Sequence, residues 1–282
     1  MHVNNCKKNI KITIMGLEPI HPDILQYFKN NNILIYDKCI RGVTHVKDIK
    51  YYIKQIYNEY PNDKIIIFIL CDHEFNIISY ENQIIVRASA NKTLLKHNEL
   101  VLPYLWSPVF KPFEPLPRTK KPIVGFCGWN SKWRHKFLKK IRNDSRIQQN
   151  FILREKFLGG DRLNEQLITD FEENMKNSHF IICQRGTGNF SMRFYETLAS
   201  GRIPILVNTD MQLPLYGVVD YDSVIIMESN IKNVIEKLLW VWKNKDIVEM
   251  QQKCSEFYDK YLHYAEYPRY LHEELKLKNL AS

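Results

Sequence analysis

The segment from Phe180 to Val207, FIICQRGTGNFSMRFYETLASGRIPILV, constrains this chain more than any other. Phe180 to Cys183 is a short apolar run of strand type, and Ile203 to Val207 is another, built around Pro204. Between them the spacing predicts a helix from Met192 to Ser200, with Ser191 as its N-cap and Gly201 just past its end. Gly186 and Gly188 let main-chain N–H groups approach a ligand closely. A helix N-terminus behind such a loop suits a phosphate, because its first N–H groups lack partners and carry the positive end of the helix dipole. Arg193 and Glu196 lie three apart on one face of that helix. A guanidinium fork binds a diphosphate, and a carboxylate one turn on accepts from the two hydroxyls of a ribose, so the pattern suggests a nucleotide.

The rest of the chain alternates in the same way. Ile10 to Met15, Ile33 to Tyr36 and Lys64 to Leu70 read as strands, separated by helices from Pro22 to about Asn30 and from Val46 to Tyr60, where Pro61 stops the second. Short strands such as Gln83 to Arg87 complete this first unit. Alternating strands and helices predict a parallel sheet covered by helices. Six of the chain's 12 prolines then fall between Pro103 and Pro122, a density that excludes helix or central strand and marks a stiff connection. The expected division is an acceptor-side domain over 1–110, a proline-rich linker over 111–122, and a donor-side domain over 123–265. The second series runs strand 123–126, helix 131–143, strand 151–153 and helix 164–178, then the segment above and a strand from Val224 to Ile226. A last helix over 266–282 is expected to pack back on the first domain.

Composition bounds the function without naming it. A chain of 282 residues, 45% hydrophobic and 25% charged, builds a sizeable core. The net charge of +9 comes from lysines scattered along the chain, which gives a basic solvated surface or a cleft tuned for anions. No basic helix interleaved with aromatics and no finger spacing points to nucleic acid. The six cysteines, at 6, 39, 71, 127, 183 and 254, have no metal or redox spacing and fit a reducing compartment. The first residues hold an apolar run too short for a signal-peptide core or a membrane span, so a soluble, cytoplasmic enzyme is expected. Frequent Asn, Lys and Ile fit an AT-rich genome, that of a bacterium or a large DNA virus.

Taken in order, Cys183, Arg185-Gly186, Asn189, Ser191, Arg193-Phe194-Tyr195-Glu196, Gly201-Arg202-Ile203-Pro204 and Leu213-Pro214 resemble the donor-binding signature of the exostosin-like glycosyltransferases. Phe126-Cys127-Gly128 followed by Arg134 is similar to that family's first strand, glycine turn and phosphate-binding arginine. The resemblance covers Ile123 to Ile226. It implies an α/β fold of the GT-B type, two Rossmann-like domains facing a cleft, and inverting transfer of a sugar from a nucleotide donor. By the same resemblance the donor, a UDP-sugar, meets Arg134, Arg185, Gly186, Gly188, Asn189, Phe190, Ser191, Arg193 and Glu196, with Trp129 and Trp133 along the cleft. The donor sugars implied are xylose, glucuronic acid, galactose or arabinose, and the acceptor is a hydroxyl of a glycan or glycoconjugate.

Catalysis is sought in the first domain. Cys71-Asp72-His73-Glu74 follows the strand ending at Leu70, and ligands of open α/β sheets bind beyond the carboxyl ends of strands. An inverting transfer needs a base for the acceptor proton. Asp72 is the first choice, Glu74 the second, and His73 a neighbour or substitute; Arg87 and His45 are weaker candidates for acceptor contact. Asp220-Tyr221-Asp222 spells a D-x-D, a pattern that holds Mg²⁺ or Mn²⁺ elsewhere, but arginines and a helix N-terminus neutralise a leaving diphosphate without metal, so metal-independent transfer with no cofactor is expected. G-x-G-x-x-S from Gly186 to Ser191, with Asp210 beyond, leaves a dinucleotide site as an alternative. A non-catalytic sugar- or nucleotide-binding module of the same fold is another, and a basic nucleic-acid-associated protein a weaker third.

Overall fold

The structure, a computed structural model, describes residues 10–16, 22–30, 38–41, 45–72, 74–103, 111–161 and 164–278. The first unit runs β1 (Ile10–Gly16), α1 (Pro22–Asn30), β2 (Lys38–Arg41), α2 (Val46–Glu59), β3 (Lys64–Leu70), β4 (Gln83–Arg87) and β5 (Glu99–Val101). The strand expected over Ile33 to Tyr36 lies outside the described residues, and the second strand is placed at Lys38–Arg41. All neighbours pair in parallel, in the order β2-β1-β3-β4-β5. The sequence KIIIFIL makes β3 because a central parallel strand is apolar on both faces, and it is buried from Ile65 to Leu70. Ile49, Ile53 and Ile56, spaced along one face of α2, cover one side of this sheet.

The second unit runs β6 (Ile123–Trp129), α3 (Lys132–Arg142), β7 (Gln148–Arg154), α4 (Glu165–Lys176), β8 (Phe180–Cys183), α5 (Met192–Ala199), β9 (Ile203–Val207) and β10 (Ile226–Glu228), followed by α6 (Ile231–Asn244) and α7 (Ile247–Phe257). A π-helical turn, Tyr258–Leu262, then leads to α8 (Tyr267–Leu277). The sheet order is β10-β9-β8-β6-β7, again all parallel. Counted within its own unit, each sheet has the order 2-1-3-4-5, a Rossmann-like arrangement with a switch point between its first and third strands. Loops at the carboxyl ends of the two sheets touch across a cleft, which is the GT-B arrangement.

Residues 111–122 are less a free connection than a strap on the second unit. Phe113 N–H donates to Ser200 O, Gln251 Nε2 to Leu116 O, and His179 Nε2 meets Pro117 O at 2.9 Å. At the other end of the chain Tyr267, Leu271 and Leu275 of α8 are fully buried against Ile24, Phe28 and Phe68 of the first unit. The Tyr267 hydroxyl donates to Val101 O at 3.2 Å. Strap and terminal helix thus connect the two units twice.

Candidate active site

The site grows out of a split in the second sheet. β6 pairs with β7 along all seven of its residues but with β8 only at Val124 and Gly125, so β6 and β8 part towards their carboxyl ends. That crevice is the switch point. Arg193, from the first turn of α5, fills it: Nη2 donates to Cys127 O at 2.6 Å and Nη1 to Ile182 O at 3.5 Å, one acceptor on each separating strand. Its guanidinium lies over the rings of Phe126, at 4.7 Å, and Phe171, at 5.4 Å. Gly128 has φ 153°, and a Cβ there would stand 2.9 Å from Arg193 Nη2, so the glycine turn makes room for this arginine.

Arg134 spans the same crevice from the first turn of α3. Its Nη1 donates to Trp129 O at 3.2 Å, and Nη2 to Arg185 O at 3.2 Å and Gln184 O at 3.4 Å. Burial, and then repulsion from Arg193, lower the Arg134 pKa to about 10. Among the described residues no carboxylate pairs with either guanidinium, and the Nε of each is buried without a hydrogen-bond partner. Two unneutralised cations held side by side by carbonyls repel one another, and an anion between them offsets that cost. Glu196, one turn beyond Arg193, is half-buried; burial raises the pKa of Cys183 and Tyr258, and the nearby Glu196 carboxylate adds a smaller push in the same direction to each.

The glycine loop departs from the sequence expectation in an instructive way. Gly186 is exposed, with Arg134 Nη2 as its nearest neighbour, 3.9 Å from where a Cβ would be. Gly188 is buried, and a Cβ there would meet the main-chain oxygen of Asp72 at 2.8 Å and the Phe190 ring at 2.5 Å. What approaches Gly188 closely is therefore its own loop's Phe190 on one side and the other domain's main chain on the other. Asn189, expected at the phosphates, is only 1% exposed and is spent on protein contacts. Its N–H donates to Ser89 Oγ at 2.9 Å, its Nδ2 to Ala90 O and Thr209 O, and its Oδ1 accepts from Thr209 Oγ1 at 2.6 Å. Ser191 sits at the N-cap position in extended geometry, but its hydroxyl makes no capping bond.

On the facing side, Asp72 is exposed at the carboxyl end of β3. Glu74 forms an ion pair with Arg185, which draws both the second base candidate and a donor candidate into a contact across the cleft. His73 lies outside the described residues, as does the side chain of Trp133, while Trp129 is 41% exposed at the crevice. Arg87 is buried and occupied by Ser89 O, Phe75 O and the Glu99 carboxylate, so it shapes the loop rather than meeting an acceptor. His45 stands at the exposed start of α2. The Asp220 carboxylate accepts from Asp222 N–H and caps a short 3₁₀ turn. Among the described residues no three His, Cys, Asp or Glu side chains gather as metal ligands would.

Sequence reasoning passed over Ser89 and Thr209, and it counted Arg202 in the donor-binding signature. Ser89 lies two residues past the end of β4, so the carboxyl-end rule that selected Asp72 would have found it. Arg202 is fully buried at the amino end of β9, the edge opposite the crevice, where it donates to the carbonyls of Met175, Gly201, Glu114 and Lys176. That part of the signature is scaffold, not donor site.

Comparison with known proteins agrees with the resemblance. The chain is 13% identical to a lipopolysaccharide outer core galactosyltransferase, WaaB, over 94% of this chain and 100% of that one, with a TM-score of 0.46. It is 8% identical to WaaG, a glycosyltransferase involved in lipopolysaccharide biosynthesis, over 97% and 99% of the two chains, with a TM-score of 0.41. At these scores the fold assignment rests on the strand order itself. An Exostosin-1 homolog of Caenorhabditis elegans is 30% identical over 95 residues, a stretch that spans 33% of this chain and 25% of that protein. The exostosin GT47 domain model matches residues 76–239, which takes in the crevice, Arg134, Arg193 and Glu196 and stops just short of Asp72 and Glu74. Since that match covers more than half of its length, the chain belongs to the exostosin GT47 domain family.

Proposed function

We propose that the chain is an inverting glycosyltransferase that moves a sugar from a UDP donor to a glycan hydroxyl without a metal ion. The observation that carries this is the pair Arg134 and Arg193, two half-buried guanidinium groups without a carboxylate at the switch point of the second sheet. In this reading they hold the diphosphate, aided by the N-terminus of α5. Glu196 accepts from the ribose hydroxyls, and Gly186 leaves open space beside Arg134 for the phosphates. Arg185 with Glu74, Gly188 with the Asp72 carbonyl, and Asn189 with Ser89 hold the acceptor domain against the donor loop rather than touching the donor, and Phe190 packs on Gly188.

Asp72 is the proposed base. The acceptor oxygen attacks the anomeric carbon from the face opposite the diphosphate, its proton passes to the Asp72 carboxylate, and the bond from that carbon to the diphosphate oxygen breaks, its electron pair leaving with UDP. Glu74, whose carboxylate engages Arg185, is the second candidate. Xylose is the first donor sugar to test. The experiment is UDP release from UDP-xylose, UDP-glucuronic acid, UDP-galactose and UDP-arabinose in EDTA, with and without oligosaccharide acceptors. Acceptor-dependent release supports the proposal. Tight UDP binding with no release from any donor would instead favour a non-catalytic binding module, and activity found only after adding Mn²⁺ would refute the metal-free mechanism.

A further inference from the structure

An open groove of about 570 Å³, lined largely by exposed side chains, lies at the opposite edge of the donor-side sheet, at the amino ends of β6 and β7, walled on one side by the strap at Leu116 and Pro117. β6 separates it from the Arg134 crevice, and seven strand residues span roughly 20 Å. It is built mainly from amides: Gln148, Gln149, Asn150, Asn174 and Asn177, with Glu173 as the single acidic lining residue. In a chain of net charge +9 it is lined by no lysine or arginine. His179 also lines it, and burial lowers that imidazole's pKa, which keeps it neutral.

Two of the amides are fixed in orientation. Asn174 Nδ2 donates to Asn150 O at 2.7 Å, and Asn150 Nδ2 donates to Asn174 O and Ser178 Oγ. Asn174 is only 4% exposed. With the donors used inside the protein, the Oδ1 atoms are left as acceptors, and no donor among the described residues takes them. Solvent reaches these two oxygens, so they accept from water or from the hydroxyl groups of a ligand. The pocket therefore asks for hydrogen-bond donors and, lacking any lysine or arginine, gives an anion no counter-charge. Ile123, Ile152 and Pro117 add an aliphatic wall. Its size is that of ordinary ligand sites, about 300–1,000 Å³.

We infer that this pocket is a second saccharide site, which binds a short neutral oligosaccharide through its hydroxyl groups, apart from the donor crevice. Amide and carboxylate acceptors above an aliphatic surface match a sugar, whose hydroxyls donate at its rim and whose ring carbons are apolar. The site does not depend on the transferase reading, because binding there needs neither donor nor turnover. Its position gives a glycan a second hold on the protein, away from the cleft.

The test is amide NMR of the full chain with maltotriose, cellotriose and xylotriose, each at millimolar concentration and with UDP in excess to occupy the crevice. At least one trisaccharide is expected to shift the Gln148, Gln149 and Asn177 signals. The exposed double variant Gln148→Ala with Asn177→Ala should weaken that binding tenfold or more while leaving UDP-induced shifts unchanged. The inference is overturned if no trisaccharide moves these signals, if the shifts cluster only around Asp72 and Arg134, or if spermidine moves them and the sugars do not.

Discussion

Asn189 donates its main-chain N–H to the hydroxyl of Ser89, 2.9 Å away and in the other domain. With the Asn189 side chain on Ala90 O and Thr209 O, and with Lys92 N–H on Asp210 O, this joins the segment after β4 to the loops after β8 and β9. Replacing Asn189 by Ala removes a buried amide and leaves Thr209 without its acceptor, at a cost of about 2–4 kcal/mol from more than one lost bond. Urea denaturation is expected to show that loss. An unchanged midpoint would mean that the two domains do not depend on this link.

Arg202 predicts a larger effect far from the chemistry. Its guanidinium serves four carbonyls and faces the Phe113 ring at 5.4 Å, and burial lowers its pKa to about 10. Arg202→Met leaves those carbonyls to desolvation and should cost about 3 kcal/mol or more. Arg202→Lys should recover little, because an ammonium has three donors and no planar fork. Both would show in thermal unfolding, while UDP affinity of the folded protein stays within about threefold.

Glu274 gives a pH dependence. It is 7% exposed in α8, its Oε2 has no hydrogen-bond partner among the described residues, and burial raises its pKa above 4.5 more than Lys278, 4.0 Å away, lowers it. A carboxyl with a raised folded-state pKa holds its proton better when folded. Its contribution is thus most favourable below 4.5 and is lost as pH rises through the raised value. Glu274→Gln should accordingly raise the melting temperature at neutral pH by roughly 2–4 °C, equivalent to about 1 kcal/mol. The gain should vanish near the ordinary carboxyl pKa. A gain that grew towards acid pH would reverse the sign of this argument.

Asp72→Asn keeps the shape of the side chain but removes the proton acceptor. Turnover with the best UDP-sugar is expected to fall by about 10²–10⁴, with UDP affinity unchanged. Glu74→Gln should act otherwise, loosening the contact with Arg185 and raising KM more than it lowers kcat. If Asp72→Asn turns over normally and Glu74→Gln is dead, the base is Glu74.

Much of the fold could be read from the chain because each buried parallel strand is an apolar run and each helix has a distinct stop, as at Pro61 and Gly201. The crevice was legible for the same reason: Arg193 and Arg134 sit at fixed distances after glycine turns. What lay beyond reading was contact between domains. Gly188 signals that something comes close, but not that it is the Asp72 carbonyl, and a short polar residue such as Asn189 has the same local pattern whether it meets a phosphate or a serine from a hundred residues earlier. Arg202 looked like part of a donor motif because order in sequence does not tell which edge of the sheet a residue occupies.

The central claim is that the Arg134–Arg193 crevice, with Glu196, is a UDP site, and calorimetric titration of UDP tests it most directly. The wild-type chain should bind UDP in EDTA. Arg134→Gln and Glu196→Ala should each lose roughly 1.5–3 kcal/mol, about ten- to a hundredfold in affinity, for the charge-assisted hydrogen bonds removed. No heat from UDP at millimolar concentration, or equal affinity in all three proteins, would contradict the account.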